Sequence, residues 1–298
     1  MNRYGYCCIN LSLTDTKITT NRGMIKRTFL SKGLDYCSEL AYKNLLDLQT
    51  ILSWNIDNGI SVFRMSSDMF PWMSEYEIST LPNWEKIKTQ LETCGKIIKD
   101  NNLRVSFHPG PFTVLGSKNL SVVINSIKEL HKHDEIMNWM SLEASNDYHI
   151  NIHLNSADPS REEGALRFIN GYNSLNETTK KRLTIENDDK LNQYSVKHLY
   201  DLVHVYTGIP IVFDFLHHTL GPQDQSREEA FKLAYSTWNV KPLVHYSSSK
   251  ILEDSAAHRT AHSNYIHEKI PTYQGYDYDC EIEAKSKDLA LLKYLKEY

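Results

Sequence analysis

The sequence is poor in cysteine, glycine and proline for its 298 residues, and no hydrophobic run exceeds the length of a β-strand. The five cysteines are Cys7, Cys8, Cys37, Cys94 and Cys280. Their number is odd, no pair has CxxC spacing, and a chain this long needs no covalent staples. Buried, reduced thiols are expected, and a disulfide scaffold is excluded. Twelve glycines, nine prolines and the lack of low-complexity sequence exclude a mostly disordered chain. Without a long apolar run there is no membrane-spanning helix. Met1-Asn2-Arg3 leads directly into Tyr4-Gly5-Tyr6-Cys7-Cys8, with no secretory signal pattern, so the expectation is an intracellular, cytoplasmic protein. A net charge of -4 argues against a strongly basic surface. Total charge does not describe a local cleft, however, and bound divalent cations would add positive charge.

What the chain does have is a repeated pattern. Short β-branched and aromatic runs fall at Tyr4–Asn10, Ser61–Met65, Arg104–His108, His149–Leu154, Arg182–Glu186, Pro210–Phe215, Pro242–Tyr246 and Cys280–Glu283. Amphipathic stretches lie between them, including Leu40–Asp57, Trp84–Asn101, Leu120–Met140 and Ser226–Tyr235. In the last, Ser226 before Arg-Glu-Glu has the form of a helix cap with an acidic first turn. Eight strands with crossovers, recurring roughly every thirty to fifty residues, predict βα units and a parallel sheet. Count and length favour an α/β fold of the closed (β/α)8 TIM-barrel type, in a single domain over residues 1–298. A doubly wound open sheet is the alternative. Against it, no GxGxxG follows the first strand and no P-loop occurs, which also excludes phosphate binding by a Gly-rich turn. The long connections Leu11–Leu30 and Ser247–Tyr278 are expected outside the barrel wall.

The chemistry lies where the strands end. The third strand ends Val-Ser-Phe-His108, the fourth Ile-Asn-Ile-His153 and the fifth Leu-Thr-Ile-Glu186. The sixth gives Phe-Asp214-Phe-Leu-His217-His218, the seventh Leu-Val-His245 and the eighth Glu281-Ile-Glu283-Ala-Lys285. In a (β/α)8 barrel the carboxyl ends of all strands meet at one face, so these residues converge. Imidazole and carboxylate form the ligand set of zinc, manganese and iron, and a shared carboxylate bridges paired ions suited to phosphodiester cleavage. Taken singly, each residue has a bland reading: a strand-end histidine is commonly hydrogen-bonded structure, and Asp188 and Asp189 read as helix caps. His131, His133, His198 and His204 fall in helical stretches. Jointly, four histidines and three carboxylates at the same end of successive strands predict a polynuclear metal site. The pair His258 and His262 has one-turn spacing but lacks the glutamate of a HExxH helix. His262 is the better ligand of the two. Adjacent His217 and His218 cannot point the same way from a strand, and His217 is favoured.

With these residues placed, the chain resembles the UV damage endonuclease family, metal-dependent repair nucleases on a TIM barrel. The likeness runs through Gly5-Tyr6-Cys7-Cys8-Ile9-Asn10, Thr20-Asn21-Arg22, Asn44-Leu45, Phe63-Arg64, His108-Pro109-Gly110 and Glu186-Asn187-Asp188-Asp189. It continues through Asp214 to His218, His245, His262 and Ile282-Glu283-Ala284-Lys285. The resemblance implies two or three divalent ions, most commonly manganese, with zinc, magnesium or iron as alternatives. His108, His153 and Glu186 would hold one ion. Glu186 would bridge to a second held also by Asp214, His245 and Glu283, and His217 and His262 would hold the third. Tyr6 and Asn10 match family residues near the lesion pocket. The implied substrate is damaged double-stranded DNA, nicked immediately 5′ of cyclobutane dimers, 6-4 photoproducts and other distortions, with damaged bases extruded. Neither a membrane nor an obligate protein partner is implied.

Three departures stand out. Pro111-Phe112 occupies the place of the family's Gln-Tyr wedge, and Pro111 cannot donate a hydrogen bond. Leu243 replaces a lysine that the family modifies into a carboxylate-like ligand, and leucine cannot ligate an ion. Glu75 stands where relatives have histidine. Arg22, Arg64, Lys285 and Lys287 are candidate phosphate contacts. Lys285, two residues past Glu283, is expected on the same side of the strand, and Glu186 and Lys285 are the candidate catalytic residues, with Glu186 accepting a proton from water. Two other classes remain open: a sugar isomerase or epimerase on the same barrel, and a lesion-binding paralogue that does not cut.

Overall fold

A computed structural model describes residues 2–221 and 224–298. Eight parallel strands form its centre: β1 (Arg3–Cys7), β2 (Val62–Arg64), β3 (Arg104–Ser106), β4 (Ile150–Ile152), β5 (Leu183–Glu186), β6 (Ile211–Asp214), β7 (Leu243–Tyr246) and β8 (Asp279–Ile282). Their spatial order is β3-β2-β1-β8-β7-β6-β5-β4. Phe107 joins the two ends of that series. Its N–H donates to the His149 carbonyl at 3.0 Å and its carbonyl accepts from Asn151 at 2.9 Å. The sheet is thereby a ring, which rules out the open doubly wound alternative.

Strand alternation sets what faces where. Val105, Phe107, Ile150, Ile152, Leu183, Ile185, Ile211, Phe213, Val244 and Ile282 face outward into the main apolar core with the helices. The alternate positions Arg104, Ser106, Asn151, Thr184, Glu186, Asp214, His245 and Glu281 are buried too, but polar. Burying one apolar face against helices contributes roughly 25 cal/mol per Å² removed from water, whereas the inner polar set has to find partners within the ring. Val62, Val212 and Leu243 form a separate buried apolar cluster. They share strand faces with Arg64, Asp214 and His245, two residues further on, and so floor the interior beneath those groups.

The helices match their sequence signals. Ser226 accepts from the Glu229 N–H while Glu229 reaches back, a complete capping box for the helix Arg227–Tyr235. The helices Trp84–Asp100 and Leu120–Trp139 agree with expectation to within a residue. The first helix, Lys26–Asp57, begins earlier than expected and takes in the end of the Leu11–Leu30 connection. It kinks at Gly33, whose φ of 60° suits a residue without Cβ. No helix among the described residues is long and apolar enough to cross a membrane.

Candidate metal centre

Glu186, the last residue of β5, is fully buried at the centre of a ring of imidazoles. Its Oε2 lies 3.2 Å from His108 Nε2, 3.1 Å from His245 Nδ1 and 3.7 Å from His153 Nε2. Its Oε1 lies 3.1 Å from His217 Nδ1. Asn151, two residues before His153 on the same strand face, donates to Oε2 and fixes the carboxylate. His108 and His153 have ring centroids 5.4 Å apart, as do His153 and His217. Glu283, just past β8, lies 3.5 Å from both His245 and His262.

Asp214 ends β6 and caps the short helix Phe215–Leu220, accepting the His217 N–H on Oδ1 at 2.6 Å. That cap is why His217 and His218 diverge: they sit on a helical turn rather than a strand. His217 turns to Glu186, while His218 packs against the Phe213 ring at 5.4 Å.

Three groups of donor atoms each lie within 4.8 Å of one another: His108, Glu186 and His245; His153, Glu186 and His217; Asp214, His245 and Glu283. This partition differs from the one the resemblance implies, because His108 groups with His245 and His217 groups with His153. His262 meets Glu283 at the rim. The buried atoms Glu186 Oε1, Asp214 Oδ2, His153 Nδ1 and both nitrogens of His245 have no aligned hydrogen bond among the described residues. Buried polar atoms left without partners are costly, and a cation among them would satisfy their lone pairs. The donor set and its orphaned atoms therefore suit divalent ions.

Protonation equilibria reflect the crowding. Burial alone would raise Glu186, but the imidazoles of His245 and His153 override it and hold the carboxyl well below its usual range. Burial likewise opposes the charge of His217, yet Asp214 and Glu186 push it well above an ordinary histidine. His245 is pushed up to about 10, burial being outweighed by Glu186. His153 goes the other way, to about 4, because burial dominates. Glu283 is held well below its usual range because Arg64 overcomes the cost of burial.

Several expected roles do not survive. Asp188 and Asp189 are not caps of the following helix, which is capped by Ser195. Asp188 instead points into the cluster, 3.8 Å from His153 Nδ1, and burial pushes it up to about 7. Arg64 is not a phosphate contact: it is buried between Cys7 Sγ, Glu281 and Glu283. Arg22 is spent on its own loop, pairing with Asp47 at 2.6 Å and donating to the Thr19 and Lys17 carbonyls. Tyr6 and Asn10 are both fully buried. Tyr6 faces outward from β1, donates to Asn55 Oδ1 at 2.7 Å and accepts from Asn10 at 2.9 Å, so neither residue presents a surface to DNA. Because β8 ends at Ile282, strand alternation does not carry on to Lys285, which is exposed. His258 is also exposed, with Nδ1 on Thr260. Leu243 is fully buried in the apolar floor and offers no ligand. Pro111 and Phe112 project from the connection after β3, and Phe112 is 90% exposed. Glu281 has no role in the sequence reading beyond its place in a strand; the signal for one is its two-residue spacing to Glu283.

A closed ring of eight parallel strands, with histidines and carboxylates crowded at its carboxyl mouth, defines a (β/α)8 barrel with a ligand-rich polar cleft. Endonuclease IV from Thermus thermophilus has the same fold, with a TM-score of 0.58 at 14% identity over 99% of this chain and 100% of that one. The crystal structure of SacUVDE is much nearer: TM-score 0.87 and 30% identity, covering 99% of this chain and 97% of that one. A UV DNA damage endonuclease of Clostridium perfringens is 33% identical over 98% of this chain and 69% of its own length. The family model for the UV-endonuclease UvdE matches residues 2–298, and the chain belongs to that family.

Proposed function

We propose that the protein is a divalent-metal-dependent endonuclease that nicks duplex DNA beside UV photoproducts. The observation that carries this reading is the convergence of four imidazoles on the two oxygens of Glu186, in a chain of the UvdE family. His108, His153, Glu186, Asp214, His217, His245 and Glu283 would hold two or three ions, with His262 at the rim, and manganese is the expected metal. Bound there, divalent ions supply Lewis-acid stabilisation of phosphoryl charge and raise the acidity of water. Ligands have to be deprotonated to bind, so loading would release the protons held by His217 and His245.

The chain's own residues set the geometry. Asn151 keeps Glu186 turned toward the histidines, and Arg64 keeps Glu283 ionised and fixed. Glu186, held well below the usual carboxylate range by the imidazoles around it, serves as a ligand shared between ions rather than as a base. Its Oε1, with no aligned hydrogen bond, is open to one of them. Pro111 and Phe112 stand at the mouth, where an exposed ring on a stiff turn would enter the gap left by an extruded photoproduct. Lys285 has no part in this scheme.

The test is a supercoiled plasmid, irradiated or not, incubated with protein and Mn²⁺. Irradiated plasmid should be relaxed by nicking while unirradiated plasmid and chelated samples stay supercoiled. Survival of the irradiated plasmid with metal demonstrably bound would reject the proposal.

A further inference from the structure

We propose that Glu281 is a positioning residue for the metal centre, holding the His245 ring so that Nδ1 faces the ions. This inference rests on the metal-centre reading above and goes beyond it, because Glu281 is in none of the three donor groups. The register of β7 and β8 sets His245 directly beside Glu281, and both side chains are fully buried. Glu281 Oε2 lies 3.2 Å from His245 Nε2. Neither atom has an aligned hydrogen-bond partner among the described residues, so a small rotation of the ring completes the bond between them. The other nitrogen, Nδ1, lies 3.1 Å from Glu186 and 3.5 Å from Glu283.

The carboxylate is itself held from two further strands. Ser106 of β3 donates its hydroxyl proton to Oε1, and Arg64 of β2 brings Nε to 3.5 Å from Oε2. A neutral imidazole has one N–H and one lone pair, and a partner on one nitrogen decides which is which. With Nε2–H committed to Glu281, the lone pair is left on Nδ1, the nitrogen that points at Glu186 and Glu283. An apolar residue at 281 would leave the ring free to take the other tautomer or to turn.

The experiment is a Mn²⁺ titration of the metal-free full chain, following the free-ion signal by electron paramagnetic resonance. Wild type, E281Q, E281L and S106A are compared, with circular dichroism confirming the fold of each. Loss of such a carboxylate partner typically weakens metal binding about 10–100-fold, which is the expectation for E281L. E281Q should stay close to wild type, since its amide oxygen still accepts the Nε2 proton. Wild-type affinity in E281L would overturn the proposal. So would E281Q binding as weakly as E281L, because the carboxylate would then be a ligand itself. Should E281L fail to fold, S106A decides: releasing the anchored carboxylate should weaken binding to a smaller extent, and unchanged binding would again overturn the role. A wild-type chain that binds no Mn²⁺ would remove the metal centre and this role together, whereas tight wild-type binding unaffected by E281L removes only the role of Glu281.

Discussion

Replacing Phe112 with alanine should weaken lesion recognition without touching stability. The ring is 90% exposed beyond His108-Pro109-Gly110-Pro111, so its removal costs the folded chain almost no buried area. Surface changes of this kind usually stay within about 0.5 kcal/mol, and the melting temperature of F112A should match wild type. On DNA the balance differs. An aromatic side chain covering roughly 150 Å² of apolar surface, at about 25 cal/mol per Å², gives about 4 kcal/mol gross. Unstacking the duplex offsets part of this, and base–aromatic stacking measured by alanine substitution is worth about 1–3 kcal/mol. The expected loss of affinity is therefore about 5–150-fold for a duplex carrying one cyclobutane dimer. Fluorescence anisotropy on damaged and intact duplexes measures it, and F112W should retain most of the discrimination. Equal affinity of F112A and wild type for the damaged duplex would refute the wedge. A fall in melting temperature alongside the loss would refute the claim that the ring is free in the unbound protein.

Other outcomes follow from the same geometry. Mn²⁺ at about one hundred times its dissociation constant should stabilise wild type by about 2.7 kcal/mol, reversibly with chelator, and E186Q should lose this thermal shift. Arg182 is fully buried, with Nε 2.8 Å from Asp134, so R182M should cost about 3–5 kcal/mol in urea unfolding by stranding that carboxylate. Burial, aided by Asp68, pushes Glu129 from an ordinary 4.5 up to about 7. Between those values the folded chain keeps a proton that the unfolded chain has released, so stability should fall as pH rises through the window and level off above it. Asp188, also raised to about 7, and His153, lowered to about 4, titrate in the same range, so the comparison is with E129Q. The stability of wild type relative to E129Q should fall between pH 4.5 and 7, and a difference in urea midpoint that stays constant from pH 4 to 8 would refute the assignment to Glu129.

Strand-level organisation is readable because outward positions such as Val105, Ile152, Ile185 and Val244 alternate with chemistry-bearing ones. That period-two signal belongs to the backbone and survives in a single sequence. It places His108, His153, Glu186, Asp214 and His245 at one mouth, where the structure has them. Harder to read are features set by packing between distant segments. Tyr6 and Asn10 look available beside a strand end, yet helix Lys26–Asp57 covers Tyr6 through Asn55. Arg22 and Arg64 carry the right charge for phosphate, but their carboxylate partners lie 25 and 219 residues along the chain. Asp188 resembles a cap because nothing local shows the loop turning back before Ser195. Glu281 goes unassigned although the same alternation that identifies Glu283 extends to it. The two-residue period reads inward as well as upward: Asn151, one step below the mouth, holds Glu186, and Glu281 lies level with His245.

The pairing of β1 with β8 also has a temporal consequence. The first strand has one of its two neighbours only when the final strand is present. Glu281 and Glu283 arrive with that final strand, long after the histidines at 108 and 153 have left the ribosome. A chain that stops short of that strand carries the histidines with Glu186 and Asp214 but not Glu281 or Glu283. The ion cradle is thus complete only once the final strand is in place beside β1 and β7, because two of the buried carboxylates around His245 come with it.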